Sequence, residues 1–436
     1  MEEDYLSLPL PLDIKDEAII KVMGVGGGGC NSVNYMYSQG MKDVSFLVCN
    51  TDRMALQKSS VPAKLQLGPG YGAGGKPEKA EELAEESRDQ IREALDDGTK
   101  MLFITAGMGG GTGTGAAPIV AEVAQEMGIL TVGIVTIPFA FEGKPKIRKA
   151  MKGVAKFAQH VDAILVINNQ KLRGIYPDFS VLNAFSKADD VVCNAARSIA
   201  EIITIPGHIN TDFQDVYNTL KGGNVTIMNV GRAQGENRIT QAITNALNSP
   251  LVNTNDIHGA KRVLFQVYFS SEYPLELQET DELNEFIDQV GDEVEVQWGI
   301  SIDESLGQEV RITVIATGYE VDDIPDLTRE DSIEKAIDVN YNLPKPKDIK
   351  DKNKDKKEDK DKKEDKKDDE VTIELDLTGT IKPTRPTKPT NNNTQNLQIT
   401  FEEEEPNNKT EVKKESPKPK EPQQRSLFPW FKGKRS

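Results

Sequence analysis

Gly107-Met108-Gly109-Gly110-Gly111-Thr112-Gly113-Thr114-Gly115 decides how this chain is read. Six of its nine residues are glycine and two are threonine. Upstream, Met101 to Ala106 (MLFITA) has the length and apolarity of a buried strand. Downstream, Ala116-Ala117-Pro118 leads into Val120, Val123, Ala124 and Met127 at helical spacing. A strand, a glycine turn and a helix with proline in its first turn leave bare backbone N–H groups at a helix N-terminus, where the dipole favours an anion. Phosphate is the expected anion. A flexible glycine linker has no reason to sit between a buried strand and an amphipathic helix.

Composition narrows the class. A chain of 436 residues can hold two ordinary domains. Its net charge of −17 argues against nucleic acid as a partner. Cys30, Cys49 and Cys193 are too few and too scattered for a disulfide framework or a zinc site, which fits a reducing, cytoplasmic setting. No apolar run reaches the roughly 18 residues of a membrane span, and the acidic, proline-broken N-terminus is unlike a signal peptide.

Residues 1–17 read as a loose tail. Ala18 to Met23 is a strand that runs into a second glycine loop, Gly24-Val25-Gly26-Gly27-Gly28-Gly29-Cys30-Asn31, with a helix through Val33 and Met36. Gly24, Gly26 and Gly29 satisfy the dinucleotide fingerprint of NAD enzymes, so a NAD-dependent oxidoreductase is one reading. The acid that should follow the second strand, Val44 to Cys49, has only Asp52 as a candidate. A third glycine-rich stretch, Gly68 to Gly75, points instead to a longer phosphate chain. No Gly-Lys-Ser or Gly-Lys-Thr is present, which disfavours a Walker nucleotidase. Neutralisation then falls to backbone amides, helix dipoles and a cation, expected to be Mg²⁺.

Strand and helix go on alternating: a helix over Pro77 to Asp97, a strand over Thr131 to Thr136, a basic helix over Lys146 to His160, a strand over Ala163 to Asn168. Such succession predicts a doubly wound parallel α/β sheet with ligands outside the carboxyl ends of its strands.

GVGGGGCN, VCNTD, GMGGGTGTGAAP, PFAFEG and HINTDFQDV, in that order and spacing, resemble the FtsZ family of tubulin-like cell-division GTPases over about residues 18 to 320. The resemblance implies GTP or GDP in the glycine loops. Gly27, Gly28, Gly29, Cys30 and Asn31 would form one phosphate and ribose wall, with Gly110, Gly111, Thr112 and Gly113 gripping the phosphates. Glu142 would bind the ribose. Lys146 takes the aligned place of the family's arginine, with Arg148 nearby. Asn169 and Asp189 match the guanine-reading positions and Phe185 the ring on the base. An ionised carboxylate can accept both the N1–H and the N2–H of guanine, and adenine offers no such donor pair.

Phe185, Ala188, Val192, Ala195, Ile199 and Ile203 form the apolar stripe of one long helix, from Ser180 as N-cap to Pro206-Gly207. Asn210, Asp212 and Asp215 follow its far end, roughly 27 Å from Asp189 for about 18 residues of helix. The plain reading is capping by Asn210, with acids near the new helix dipole. In that case a non-hydrolysing structural polymer survives. The resemblance implies a catalytic loop that enters the nucleotide site of the next subunit, so that the chain polymerises head to tail with itself. His208, beside the loop, reads as an ordinary loop residue.

The expected domain plan is a GTP-binding domain over 18–179, the central helix over 180–206 and an α+β unit over 207–320. That unit has strands over Asn224 to Val230, Arg262 to Phe269, Val294 to Ile302 and Glu309 to Ala316, and helices over Gly235 to Ser249 and Thr280 to Val290. Residues 321–424 are read as a disordered charged linker, since the Lys/Asp/Glu and Pro/Thr/Asn tracts cannot bury a core. Within 425–436, three aromatics beside basic residues from Leu427 to Arg435 suit a partner groove or an anionic membrane surface. The expectation is a scaffold filament of the division ring at the inner face of the membrane, tethered through that peptide to membrane and division proteins.

Overall fold

A computed structural model of the chain describes residues 18–247 and 259–319 apart from 292, together with Ile333, Ile337 and Tyr341. The N-terminal tail, nearly all of the expected linker and the terminal peptide lie outside the described residues. The chain begins β1 (Ile20–Val25), α1 (Gly26–Ser38), β2 (Ser45–Asn50), α2 (Arg53–Lys58), β3 (Lys64–Gln66), α3 (Pro77–Glu85), α4 (Arg88–Leu95), β4 (Met101–Gly107) and α5 (Thr112–Glu126). It continues through β5 (Leu130–Ile137), α6 (Lys144–Ala158), β6 (Ala163–Asn168), α7 (Asn169–Ile175), α8 (Val181–Thr204), β7 (Gly207–Ile209) and α9 (Phe213–Leu220). The last elements are β8 (Asn224–Ala233), α10 (Arg238–Leu247), β9 (Arg262–Phe269), α11 (Glu279–Val290), β10 (Glu295–Ile302) and β11 (Val310–Thr317).

The strands form one sheet in the order β3-β2-β1-β4-β5-β6-β8-β11-β9-β10-β7. Its first six strands are parallel, as alternating βα units require. β6 meets β8 through only two register pairs, Ala163 with Asn224 and Ile164 with Val225. Beyond that seam β8, β11 and β9 pair antiparallel, β10 runs parallel to β9, and β7 closes the edge antiparallel to β10. The near-continuous burial of β1, β4 and β5 follows from helices covering both faces. α3, α5 and α6 cover one core; α1, α8 and α9 cover the other, which also takes Met228, Leu264 and Ile315 from beyond the seam.

Several expectations change in detail. The glycines after β1 are not a loop: α1 starts at Gly26, so Gly27 to Asn31 are its first turns. α5 likewise starts at Thr112, which puts Pro118 inside the helix rather than in its first turn. Proline deprives the i−4 carbonyl, that of Thr114, of its helical donor. The helix expected over Pro77 to Asp97 is two. At the break, Ser87 Oγ donates to the Leu83 carbonyl at 2.8 Å, a local bond that competes with the helical ladder.

α8 runs from Ser180, whose hydroxyl accepts from Asn183 N, to Thr204. Ala188, Val192, Ala195 and Ile199 are buried as the stripe predicts, but Phe185 stands exposed and Ile203 half-buried. α10 begins at Arg238, and the expected end at Ser249 lies outside the described residues. The linker boundary at 321 also shifts. Ile333, Ile337 and Tyr341 are helical, four residues apart and buried in the core of α5 and α6.

Candidate functional site

Two strand-to-helix turns meet backbone to backbone at the carboxyl end of the parallel strands. A Cβ added at Gly26, whose φ is +74°, would lie 2.6 Å from Gly113 N; one at Gly29 would lie 2.1 Å from the Thr105 carbonyl oxygen; one at Gly113 would lie 2.7 Å from that of Gly107. No side chain fits in these gaps. By contrast, a Cβ at Gly27 or Gly110 meets no heavy atom of the described residues within 4 Å. The N-termini of α1 and α5 are thus pressed together while Gly27 and Gly110 face open space. Paired helix N-termini with unpaired N–H groups make an anion cradle.

Side chains brace it from behind. Thr114 Oγ1 accepts from Gly109 N at 2.8 Å, fixing the loop before α5. Thr112 shares a hydroxyl bond of 2.7 Å with Thr51, the residue after β2. The third glycine stretch rests on Gly111, whose added Cβ would lie 3.1 Å from Lys76 N and 3.2 Å from Gly75 Cα. Lys149 Nζ, from α6, donates to the Gly75 carbonyl at 2.8 Å. Sequence reasoning did not single out Lys149, which lies 74 residues from the glycine it reaches. The Cys30 thiol turns inward, 3.5 Å from the carbonyls of Gly24 and Cys49, and burial pushes its pKa up to about 12. Only the backbone of Cys30 can serve the cradle. Asn31 is exposed one residue on.

The second half of the site comes from three other elements. After β5, Ala140 to Glu142 form a single 3₁₀ turn. Glu142 Oε1 accepts from Phe139 N at 2.9 Å and Oε2 pairs with Lys146 Nζ in the first turn of α6, so the aligned lysine engages the aligned acid. Asn168 caps α7 through its Oδ1, and Asn169 opens that helix. Asn169 is 5 % exposed and its Oδ1 has no partner among the described residues, nor has the Asn168 Nδ2. Buried amide groups without partners are costly, and a ligand's donors and acceptors would satisfy them.

Phe141 and Phe185 lie across Phe139, with centroids 5.1 Å and 5.2 Å from it, and remain 57 % and 38 % exposed. Phe139, Leu172 and Ala188 form the small apolar cluster beneath them. One turn along α8 from Phe185, Asp189 accepts from Ser32 Oγ at 2.6 Å. Burial pushes the Asp189 carboxyl above its usual range, and the Ser32 bond pulls it part of the way back. Ring faces, an orphan acceptor and a half-buried carboxylate thus stand on the elements beside the anion cradle.

Asn210, Asp212 and Asp215 are not in it. They follow the other end of α8, with about 22 Å of helix between Asp189 and Thr204, less than the sequence estimate because α8 ends before Pro206. The cap of α9 is Asp212, not Asn210. Asp212 Oδ1 accepts from Gln214 N at 2.7 Å and Asp215 N at 3.0 Å, while Asp215 Oδ2 accepts from Asp212 N at 2.9 Å. Asn210 Oδ1 accepts from Gly207 N at 3.2 Å. Asp212 is exposed and Asp215 half-buried. Among the described residues no group of three or more His, Cys, Asp or Glu is placed to hold a metal, and no helix is long and apolar enough to cross a membrane.

Comparison with known proteins gives two successive matches. Residues 19–177 fit the Tubulin/FtsZ family GTPase domain and residues 224–320 the FtsZ family C-terminal domain. The cell division protein FtsZ of Porphyromonas gingivalis is 52 % identical over 309 residues, 70 % of this chain and 68 % of that protein. Its namesake in Wigglesworthia glossinidia brevipalpis is 42 % identical over 73 % of this chain and 83 % of the relative. Among solved structures, an empty FtsZ dimer from M. jannaschii superposes with a TM-score of 0.63 at 38 % identity, covering 69 % of this chain and 88 % of the other. GDP-bound CetZ1 from Haloferax volcanii shares the fold at 22 % identity, with a TM-score of 0.63 over 73 % of this chain and 99 % of its own.

Proposed function

Because the chain belongs to the Tubulin/FtsZ family, we propose that it is a GTPase that polymerises head to tail into the scaffold filament of the cell-division ring, with each active site completed by the next subunit. The observation that carries the shared site is the placement of Asp212 and Asp215 beyond the far end of α8, while the glycine cradle and Asp189 lie at its near end.

In this reading the α1 and α5 N-termini take the phosphates through the backbone of Gly27 to Asn31 and of Gly110 to Gly113. Glu142 takes the ribose hydroxyls, with Lys146 holding its second oxygen. Phe185 packs on the base, while Asn169 and Asp189 read its edge. Mg²⁺, if bound with the nucleotide, would neutralise phosphate charge and take oxygen ligands, as a hard cation prefers. Asp212 and Asp215 of one subunit would orient and deprotonate the attacking water in its neighbour's site. A head-to-tail contact does not close on itself, so it builds a filament and turnover requires assembly. The terminal peptide around Leu427 to Arg435, outside the described residues, would tether the filament to membrane and division proteins at the inner membrane face.

The NAD reading finds no support in the family matches. A non-hydrolysing polymer finds no support there either; the reciprocal cap of Asp212 and Asp215 is compatible with both readings. Phosphate release from GTP and from ATP, measured over a range of protein concentrations with light scattering in parallel, separates the readings. The shared site predicts GTP preference and a specific activity that rises with assembly. Activity per molecule independent of concentration would overturn it, and filaments with no phosphate release would establish the structural polymer.

A further inference from the structure

Ser32 lies on α1 one turn beyond Gly28 and is 4 % exposed. Its Oγ is 2.6 Å from Asp189 Oδ1 on α8 and 3.2 Å from the Gly28 carbonyl. A serine hydroxyl has one proton to donate, and the shorter, charge-assisted contact claims it. On the next turn Tyr35 OH donates to Asp190 Oδ1 at 3.2 Å, and Lys187 Nζ reaches Asp190 Oδ2 at 2.6 Å. Tyr35 and Lys187 therefore satisfy Asp190, and the hydroxyl on Asp189 comes from the helix that also carries Gly27 to Asn31.

We propose that Ser32 is a positioning residue for base recognition, whose hydroxyl fixes the plane of the Asp189 carboxylate so that both oxygens meet the two edge N–H groups of guanine. The proposal rests on the reading of Asp189 as the base contact. The terminal torsion of an aspartate is broad and roughly two-fold, so an unanchored carboxylate sweeps through orientations of which few are coplanar with the base. Ser32 occupies one lone pair of Oδ1 and leaves the other, together with both on Oδ2, for the ligand. Donation from Ser32 also favours the ionised carboxylate. A protonated carboxyl would instead offer a donor to N1 of adenine. Ser32 thereby acts on selectivity among purines without touching the base.

Calorimetric titration of the full chain with GDP, IDP and ADP tests this. IDP lacks the guanine N2 amine and so takes one oxygen of the carboxylate rather than two. Ser32→Ala is expected to weaken GDP about tenfold and IDP much less, so that the GDP-to-IDP affinity ratio collapses and discrimination against ADP narrows. Ser32→Cys, with a weaker donor of similar volume, should fall between wild type and Ala. A Ser32→Ala protein that keeps the wild-type ratio overturns the proposal. That holds whether both affinities stay or both fall together, the second being what a displaced α1 would produce. Asp189→Asn separates the underlying reading: if it too keeps the wild-type ratio, Asp189 does not read the base. A ratio lost in Asp189→Asn but kept in Ser32→Ala removes Ser32 alone.

Discussion

Replacing glycine by alanine at two positions one turn apart at most, Gly27 and Gly29, should have opposite consequences. Both residues sit in the first turn of α1. At Gly29 the new methyl would lie 2.1 Å from the Thr105 carbonyl oxygen and 3.0 Å from its carbon, both backbone atoms of β4. Neither can yield without opening the contact between α1 and the sheet. Overpacking of this kind costs about 1–3 kcal/mol or more. At Gly27 the methyl meets nothing within 4 Å, and alanine in a helix is favoured over glycine by about 1 kcal/mol.

Cβ bonds lean toward the helix N-terminus, so the Gly27 methyl projects into the space an anion must occupy to reach N–H groups at about 2.9 Å. Gly27→Ala should therefore melt at the wild-type temperature or a few degrees above it and lose GDP affinity by at least about tenfold. Gly29→Ala should melt well below wild type. Differential scanning calorimetry with and without GDP reads both quantities. A Gly27→Ala protein that binds GDP as wild type does would refute the claim that this turn faces the phosphates. A Gly29→Ala protein of unchanged stability would refute the packing on which the cradle depends.

Three further outcomes follow from the same geometry. Asp212→Asn keeps a capping oxygen and should leave the melting temperature near wild type while abolishing assembly-dependent phosphate release, whereas Asp212→Ala should lose both turnover and about 1 kcal/mol of stability; wild-type turnover in Asp212→Asn would reduce Asp212 to a cap. Asp189 has its carboxyl raised by burial, so the folded state holds that proton more tightly than the unfolded chain, and stability falls as pH rises through the interval between the two values. Asp189→Asn should accordingly raise the melting temperature at pH 8, and the gain should fade as pH approaches about 4; a gain independent of pH would show that the charge is not its source. Arg311 bridges Glu201 of α8 at 2.8 Å and Asp303 at 3.2 Å, and its guanidinium lies 4.1 Å from the centroid of the buried Tyr268 ring. Its replacement by leucine leaves two half-buried carboxylates unpaired and should cost about 3 kcal/mol in urea unfolding, part of which Glu201→Gln in the same chain should restore.

What could be read from the residues differs between the two ends of the nucleotide site, for a physical reason. The proposed phosphate end depends on the absence of side chains, and absence is visible in composition: Gly26 to Gly29 and Gly109 to Gly113 stand out before any fold is known. What the run could not disclose is where the helices begin. Glycine is a poor helix former, which makes Gly24 to Asn31 look like a loop, yet α1 opens at Gly26 because Gly28 and Gly29 must let Gly107 and Thr105 approach. α8 was legible at both ends, since Ser180 is a strong N-cap and Pro206-Gly207 a strong stop. The cap of α9 was legible too. Asp212 and Asp215 have the three-residue spacing of a capping box, a better signal than the asparagine two positions upstream.

The proposed base end depends on the presence of particular side chains, each ordinary in its own segment. Ser32 and Asp189 are 157 residues apart, and each reads alone as the polar face of an amphipathic helix. Lys149 is one of several lysines on α6 until the sheet brings Gly75 to it. Only the crossover of α1 and α8 on one face of the sheet turns a serine and an aspartate into one device. On the proposed role of Ser32, a chain could keep its phosphate signature while its base selectivity drifts through residues that carry no motif. Transferring guanine specificity between chains of this fold should then require the residue behind the carboxylate as well as the carboxylate itself.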